Sequence, residues 1–255
     1  MLTNNNLKRR SQPGFGARTL FAVIIAGTLH SGFAETPSAP AFDSTEQAIE
    51  ALYTAINHDD DATITRLIGP LASSGDMVQD KADRQLFTRK FTEMHRLAKE
   101  PDGTTVLYVG AENWPFPVPL VSDHGKWRFD PDAGAREITF RRIGEDEMTA
   151  IETCRAIAHP DRATENTAIS DYVLKVVGDL SEPAEPFYGY HFRNVQTSAG
   201  TVVIAYPAEY GVTGVMTFAL TPKGAVYEKD LGPKTVSLAK AMLQYKPDRT
   251  WLAAE

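Results

Sequence analysis

The order of helical and strand patterns along the chain constrains its fold more than any other feature. Apolar residues recur at helical spacing within residues 44–99, and short β-type runs follow within residues 104–129. A helical pattern then covers residues 134–158, and a second set of β-type runs begins at Tyr190. Helices and strands that are grouped in this way, rather than strictly alternating, favour an α+β fold with antiparallel sheets.

The first block predicts N-terminal helices packed on a small antiparallel sheet. Its first helix has a capping box in either of two frames, Asp43 with Glu46 or Ser44 with Gln47. The remaining patterns predict helices at residues 62–68 and 80–99 and strands at residues 104–109, 118–121 and 126–129. The last two strands are joined at Asp123-His124-Gly125, which indicates a hairpin.

The second block predicts a C-terminal antiparallel sheet with a terminal helix. The helix over residues 134–158 has Gly144 as a candidate break, and its predicted buried face consists of Ile138, Met148, Ile151, Cys154 and Ala158. Predicted strands cover residues 172–177, 190–195, 201–206, 215–220 and 225–228. The terminal helix is predicted over residues 235–245, with Val236, Ala239, Met242 and Leu243 facing inward.

These elements suggest a division into an α+β domain at residues 42–159, a linker at 160–187 and a β-rich domain at 188–255. The linker is expected because the segment is rich in proline and has little regular pattern.

The N-terminus has the three-part order of a secretory signal. A basic leader without acidic residues precedes the apolar run at residues 20–29, and Gly32-Phe33-Ala34 places small residues where a signal peptidase cleaves. The run is shorter than the roughly 20 apolar residues that span a bilayer. We predict that residues 1–34 are removed, that residues 35–41 form a flexible spacer, and that no stable membrane anchor remains. An uncleaved anchor is the alternative, and Arg9-Arg10 leaves the twin-arginine route open beside the general one.

Charge narrows the choice of partners. The net charge is −7, and cleavage after Ala34 removes four basic side chains, which takes it to −11. An acidic surface repels nucleic acid and anionic lipid, so neither is an expected partner. Cys154 is the single cysteine, so it forms no internal disulfide, and a buried apolar role is favoured over a reactive thiol.

The motifs of common catalytic and cofactor sites are missing from the sequence. The acidic clusters at residues 59–61 and 145–147 do not have calcium-loop spacing, and no two histidines have the spacing of a helical zinc site. There is no nucleophile-elbow serine and no phosphate-binding glycine loop. We therefore expect no cofactor and assign no catalytic residue.

Aromatic residues are concentrated in two regions and suggest a contact surface. Tyrosine and tryptophan provide a large contact area with a polar group, which suits the binding of a ligand or partner. The candidate surface residues are Trp114, Phe116, Trp127, Arg141, Arg142, Tyr188, Tyr190 and Tyr210. The alternative is that most of the aromatic rings pack in the core and that Arg141-Arg142 pairs with Glu145.

Three blocks of sequence support a family resemblance. They are Trp114-Pro115-Phe116-Pro117-Val118-Pro119-Leu120 with Trp127-Arg128-Phe129-Asp130, Arg141-Arg142-Ile143-Gly144 with Glu147 and Ile151, and Tyr188-Gly189-Tyr190-His191-Phe192 with residues 206–218 and 226–232. They resemble the exported bacterial family described as domain of unknown function 2950, which implies an envelope setting and assigns no activity. Members usually carry a longer insert before the Gly-Tyr block, and Asn where this chain has Asp146.

Two weaker likenesses concern the fold alone. Residues 44–129 look like the cone-shaped fold of nuclear transport factor 2 relatives, and the glycine-rich strands near the C-terminus are similar to the terminal sheet of some pilin-like subunits.

Three functional hypotheses follow. The first is an exported periplasmic or secreted envelope protein, not an enzyme, that binds a partner protein or a cell-wall component. The second is a hydrolase-type enzyme with a pocket between the N-terminal helices and the sheet over residues 114–129. The third is a pilin-like subunit, which requires a long N-terminal apolar helix that is kept after processing, whereas the run here is short and is predicted to be removed.

Overall fold

The computed structural model describes residues 39–72, 77–160, 166–176 and 185–254. Within these ranges it contains six α-helices, one short 3-10 helix and two antiparallel sheets. The chain forms two compact units, an N-terminal unit that ends at Ile138 and a C-terminal unit that begins at Thr139. The division falls inside a helix, whereas the sequence suggested a boundary after residue 159. The predicted signal peptide at residues 1–34 lies outside the described residues.

The N-terminal unit contains three helices followed by five strands and the first turns of a fourth helix. Its elements are α1 (Thr45–Asn57), α2 (Asp61–Ile68), the 3-10 helix (Gly69–Ala72), α3 (Met77–Glu93), β1 (His95–Lys99), β2 (Thr105–Val109), β3 (Trp114–Pro115), β4 (Leu120–Asp123), β5 (Lys126–Phe129) and the start of α4 (Pro131–Ala158). The sheet has the order β1-β2-β4-β5, and β3 also pairs with β2.

Local sequence signals explain how several of these elements begin and end. The Ser44 side chain accepts a hydrogen bond from the backbone amide of Gln47, as the capping box predicts. His124 and Gly125 have positive φ angles of 49° and 77°, so the β4–β5 hairpin closes with two left-handed residues. The helices cover one face of the sheet with a shared core that includes Leu52, Phe87 and Leu107.

The predicted third helix is too long at its C-terminal end. The helix ends at Glu93, and His95–Lys99 forms β1, which pairs with β2 over five residues. A five-residue segment carries too little periodicity to separate helix from strand, and here the available partner strand decides.

The C-terminal unit places a five-stranded sheet between helices. Its elements after α4 are α5 (Thr167–Val176), β6 (Tyr190–Thr197), β7 (Gly200–Pro207), β8 (Met216–Leu220), β9 (Val226–Asp230), α6 (Thr235–Ala241) and β10 (Leu252–Ala253). The strand order is β10-β9-β8-β7-β6, and all pairs are antiparallel.

Both faces of this sheet are buried, which is clearest in β7. Val203 and Ala205 face a core that contains Cys154 of α4, whereas Ile204 faces a second core that contains Ala239 of α6 and Trp251. Arg193 of β6 joins strand and helix on this side, because its Nη1 donates to the carbonyl oxygens of residues 239, 240 and 242 at the end of α6.

The structure corrects three predictions in the C-terminal unit. Residues 167–176 form helix α5 where a strand was predicted at 172–177, so the segment expected to be a linker contains a helix. Met148 is 72% exposed instead of buried. Leu243 is 82% exposed because α6 ends at Ala241, two residues before it.

The fold class predicted from the sequence is confirmed in its main features: N-terminal helices with a small antiparallel sheet, then a C-terminal antiparallel sheet with a terminal helix. The likeness to the nuclear transport factor 2 cone stays a prediction. Within the described ranges, every helix is too short or too polar to cross a bilayer.

Helix α4 runs unbroken through Gly144, which was the candidate break. A Cβ added at Gly144 would have no neighbouring atom within 4 Å. Glycine in a helix interior lowers stability relative to alanine through backbone entropy. We therefore expect Gly144→Ala to raise the free energy of unfolding by about 0.5–1 kcal/mol, measured by urea denaturation. A loss of stability would indicate that α4 is interrupted there in solution.

Candidate functional site

The predicted contact residues of the N-terminal unit lie in or against its core. Phe116 is 3% exposed and makes edge contacts with the rings of Phe129 and Trp114. Trp114 and Trp127 are partly buried against the same core. Phe116 is therefore a core residue, and of these three aromatic side chains only Trp114 and Trp127 retain exposed area.

The predicted residues of the C-terminal unit are divided between the interior and the surface. Tyr190 is fully buried, and its hydroxyl donates to the carbonyl oxygen of Met216 at 2.9 Å. Tyr210 is partly buried, and its hydroxyl donates to Asp230 at 3.2 Å. Tyr188 is 44% exposed.

Glu147 on α4 holds the start of β8. Its Oε1 accepts hydrogen bonds from the backbone amides of Val215 at 2.8 Å and Met216 at 2.9 Å. Two amides on one carboxylate oxygen form charge-assisted hydrogen bonds, which are stronger than neutral ones. The carboxylate of Glu147 therefore has a clear structural role.

Asp146, the residue before Glu147 on α4, lies against a glycine. Gly189 has a φ of +72°, and a Cβ placed on it would lie 2.6 Å from Oδ2 of Asp146 and 2.8 Å from the Cβ of Thr213. Only glycine fits here, both for its backbone conformation and for the space available. The Asp146 carboxyl thus lies directly beside the backbone between Tyr188 and Tyr190.

The electrostatic surroundings of Asp146 favour its neutral form. Burial raises the pKa of Asp146 from 3.8 to about 6, and the negative charges of Glu145 and Glu147 add to this, while Arg142 opposes it. No hydrogen bond to the Asp146 carboxyl is found among the described residues. Asp146 is therefore a half-buried carboxyl with unused hydrogen-bonding capacity.

The two arginines of α4 have different surroundings. Arg142 donates from Nη2 to the carbonyl oxygen of Val212 at 3.2 Å, and its buried Nε lacks a hydrogen-bond partner within the described ranges. Arg141 lowers the pKa of Glu145, which burial raises more strongly. The electrostatic interaction of Arg141 with Glu145 agrees with the pairing alternative, whereas Arg142 belongs to the cluster around Asp146.

Tyr188 directly precedes Gly189 in the sequence and is the exposed aromatic residue of this region. It has a φ of +44°, which is uncommon for a residue with a side chain. The ring packs edge-on against Phe187 at a centroid distance of 4.8 Å, and Phe187 stacks on Tyr172 of α5 at 4.2 Å. The exposed aromatic ring of Tyr188 therefore packs on Phe187, which is itself held by Tyr172.

Together, these residues form the acid–tyrosine site, which we define as Arg142, Asp146, Tyr188, Gly189 and Thr213. The site combines the exposed aromatic ring of Tyr188 with the titratable carboxyl of Asp146, which lies beside the following residue, Gly189. A carboxyl accepts hydrogen bonds when ionised and donates one when protonated, and an aromatic face stacks on planar or ring-shaped groups. Such an arrangement suits binding of a ligand with hydroxyl or amide groups.

Other chemistry has less support in the described residues. Cys154 is fully buried, and burial raises the pKa of its thiol to about 12, so it is a packing residue at neutral pH. Among the residues that the structure describes, no group of three His, Cys, Asp or Glu side chains is arranged to hold a metal ion.

The contact surface predicted from the sequence contains Arg142, Tyr188 and Tyr190 but not Asp146 or Gly189. Asp146 looked like a solvated acid within an acidic run, because the partner glycine lies 43 positions later in the sequence. The available signal was that the family resemblance led us to expect Asn where this chain has Asp146.

Gly214 provides a test of the packing around Tyr190. A Cβ at Gly214 would overlap the Tyr190 hydroxyl and lie 2.6 Å from Cζ. We expect Gly214→Ala to lower the free energy of unfolding by at least about 2 kcal/mol through this overlap. Gly211→Ala is the control, because its φ is +75° but no atom lies within 4 Å, so it should lose only about 1 kcal/mol. Equal losses in urea denaturation would contradict the overlap.

Asp146 makes stability depend on pH. A raised folded-state pKa means that the folded chain holds its proton more tightly, so stability falls as pH rises from about 4 through about 6. An asparagine at position 146 resembles the protonated carboxyl but does not ionise, so it avoids this loss of stability. The full shift corresponds to about 3 kcal/mol, and solvent screening at this half-exposed site reduces the expected effect to about 1 kcal/mol.

We therefore expect Asp146→Asn to be more stable than the natural chain at pH 7.5 and equally stable near pH 4, by urea denaturation at both values. Asp171→Asn, at an exposed position on α5, is the control and should show no such difference. A gain that is independent of pH would point to a cause other than ionisation.

Comparisons with known proteins give one match. A family model described as "Protein of unknown function (DUF2950)" matches residues 39–176 and 194–254. No curated protein and no solved structure matches the chain. The matched residues include all six α-helices, β1 to β5, the second half of β6, and β7 to β10. Because the match covers most of the sequence, this chain belongs to the DUF2950 family of proteins of unknown function.

Proposed function

We propose that this chain is an exported bacterial envelope protein that binds a cell-wall component without catalysing a reaction. Export is inferred from the basic leader, the short apolar run and the cleavage site after Ala34. The observation that carries the binding proposal is the exposed Tyr188, which has a left-handed backbone conformation and directly precedes Gly189, the residue that the Asp146 carboxyl lies against.

The conformation of Tyr188 supports a role in recognition. A residue with a side chain at positive φ costs about 1–3 kcal/mol and is most common at functional sites. Packing on Phe187 restricts the ring before any ligand arrives, which reduces the entropy lost on binding. A rigid, half-exposed tyrosine is therefore a favourable contact for a sugar ring or a planar peptide group.

The carboxyl chemistry favours binding over catalysis. Acid–base hydrolysis commonly uses two carboxyl groups with separate roles. In the acidic run of α4, Oε1 of Glu147 is engaged by two backbone amides, and Asp146 faces Gly189 and Thr213. Asp146 then supplies a hydrogen bond to a ligand hydroxyl or amide, which gives the site polarity and direction.

The enzyme hypothesis placed a pocket between the N-terminal helices and the sheet over residues 114–129. At that place the structure has a packed core that includes Leu52, Phe87, Leu107 and Phe129, each at most 6% exposed. This packing supports the binding proposal over a catalytic pocket at that position.

The proposal is tested by cosedimentation of the protein with purified cell-wall sacculi. The protein is recovered from the envelope of a producing bacterium, and its first residue is expected to be Glu35. Tyr188→Ala should weaken binding by about tenfold or more, because aromatic anchors at interfaces contribute about 2 kcal/mol or more. Tyr188→Phe keeps the ring and should bind within about twofold of the natural chain.

Phe140→Ala is the matched control, because Phe140 is also an exposed aromatic residue of the C-terminal unit, at 66% exposure. It should bind sacculi as the natural chain does. Failure of the natural protein to sediment with sacculi, or equal binding by Tyr188→Ala and Phe140→Ala, would overturn the proposal.

A further inference from the structure

A cleft of about 540 Å³ lies on the N-terminal unit, between the end of α1 and one face of α3. Helix α3 contributes residues 84, 85, 88, 89, 92 and 93, which repeat at helical spacing and so share a face. The end of α1 contributes Ile56 and Asn57, followed by Asp59. The volume lies within the range of about 300–1,000 Å³ that is usual for small-molecule sites.

Most of the charged groups around the cleft are already paired. Arg84 contacts Asp59 at 3.4 Å and Asp61 at 2.6 Å. Lys90, also on α3, contacts Glu93 at 3.2 Å and Glu112 at 2.7 Å. These ion pairs fix the positions of the acidic residues and compensate their charge.

Arg89 is the exception in the cleft. Its side chain is exposed, and within the described ranges its guanidinium has neither an ion pair nor a hydrogen bond. A guanidinium presents two parallel N–H groups that match the two oxygens of a carboxylate. The cleft therefore contains one unused cation with the geometry for bidentate anion binding.

Neutral groups around Arg89 add polar and apolar contacts. Asn57, Gln85 and Thr88 line the cleft with amide and hydroxyl groups, and Ile56 is a buried apolar residue of its lining. Amides and hydroxyls both donate and accept hydrogen bonds, so they suit ligand hydroxyl and amide groups without adding charge.

We propose that this cleft binds a small carboxylate that also carries hydroxyl or amide groups, with Arg89 holding the carboxylate. The ligand is of the size of a sugar acid or an acidic dipeptide. This site lies in the N-terminal unit, and the acid–tyrosine site lies in the C-terminal unit, so the two proposals depend on different residues.

The test is calorimetric titration of the chain from Glu35 to Glu255 with matched pairs of compounds. Each pair differs in one carboxylate: glucuronate and glucose, N-acetylmuramate and N-acetylglucosamine, alanyl-glutamate and alanyl-glutamine. We expect at least one carboxylate to bind with a millimolar or lower dissociation constant and its neutral partner to bind about tenfold more weakly or not at all.

Variants assign the site. Arg89→Ala should weaken binding of that carboxylate by about tenfold or more, and Arg89→Lys should weaken it less, because lysine keeps the charge but loses the two-pronged geometry. Arg136→Ala removes an exposed arginine elsewhere in the N-terminal unit and should leave binding unchanged. Circular dichroism confirms that each variant is folded.

Tyr188→Ala separates this inference from the proposed function, because it should bind the carboxylate normally even where it fails to bind sacculi. The inference is overturned if no carboxylate in the panel binds at millimolar concentration. It is equally overturned if Arg89→Ala binds as tightly as the natural chain.

Discussion

The hydrogen bonds between Glu147 and the start of β8 organise the C-terminal unit. β8 lies in the middle of its sheet, and both faces of that sheet are buried. A shift of one residue along a strand would exchange its two faces, so the position of β8 must be well defined. The carboxylate of Glu147 fixes this position by accepting hydrogen bonds from the backbone amides of Val215 and Met216. The Tyr190 hydroxyl also donates a hydrogen bond to the carbonyl oxygen of Met216.

The placement of Glu147 has a consequence for the residue before it. With Glu147 bound to β8, Asp146 lies against Gly189 and Thr213, where burial favours its neutral form. A carboxyl in such a place reduces stability at neutral pH, and titratable groups with strongly altered pKa values are concentrated at functional sites. The strained Tyr188 next to Gly189 is a second local cost at the same place. Two such costs at neighbouring positions make this region the best-supported candidate for recognition.

Elements that are defined by short-range signals were predictable from the sequence. The Ser44 cap, the His124-Gly125 hairpin and the four main strands of the C-terminal sheet all lie close to their predicted positions. The errors occur where a short segment has no decisive pattern. His95–Lys99 becomes a strand because β2 is available to pair with it, and residues 167–176 become helical although a strand was expected. Met148 was expected to be buried because it lies on the apolar face that periodicity marks in the helix. Periodicity does not show how much of that face is covered, and Met148 is exposed.

The sequence by itself determined the α+β class, the grouping of helices before each sheet and the family to which the chain belongs. These properties follow from local propensity, turn residues and contiguous blocks, all of which act over a few positions. Only the tertiary structure decided that Phe116 and Tyr190 are core residues and that Asp146 lies against Gly189. It also decided that Arg89 lines a cleft without an ion pair to any residue that the structure describes. Those outcomes depend on which distant residues pack together and exclude water, and the burial that results sets both the exposure and the ionisation of each side chain.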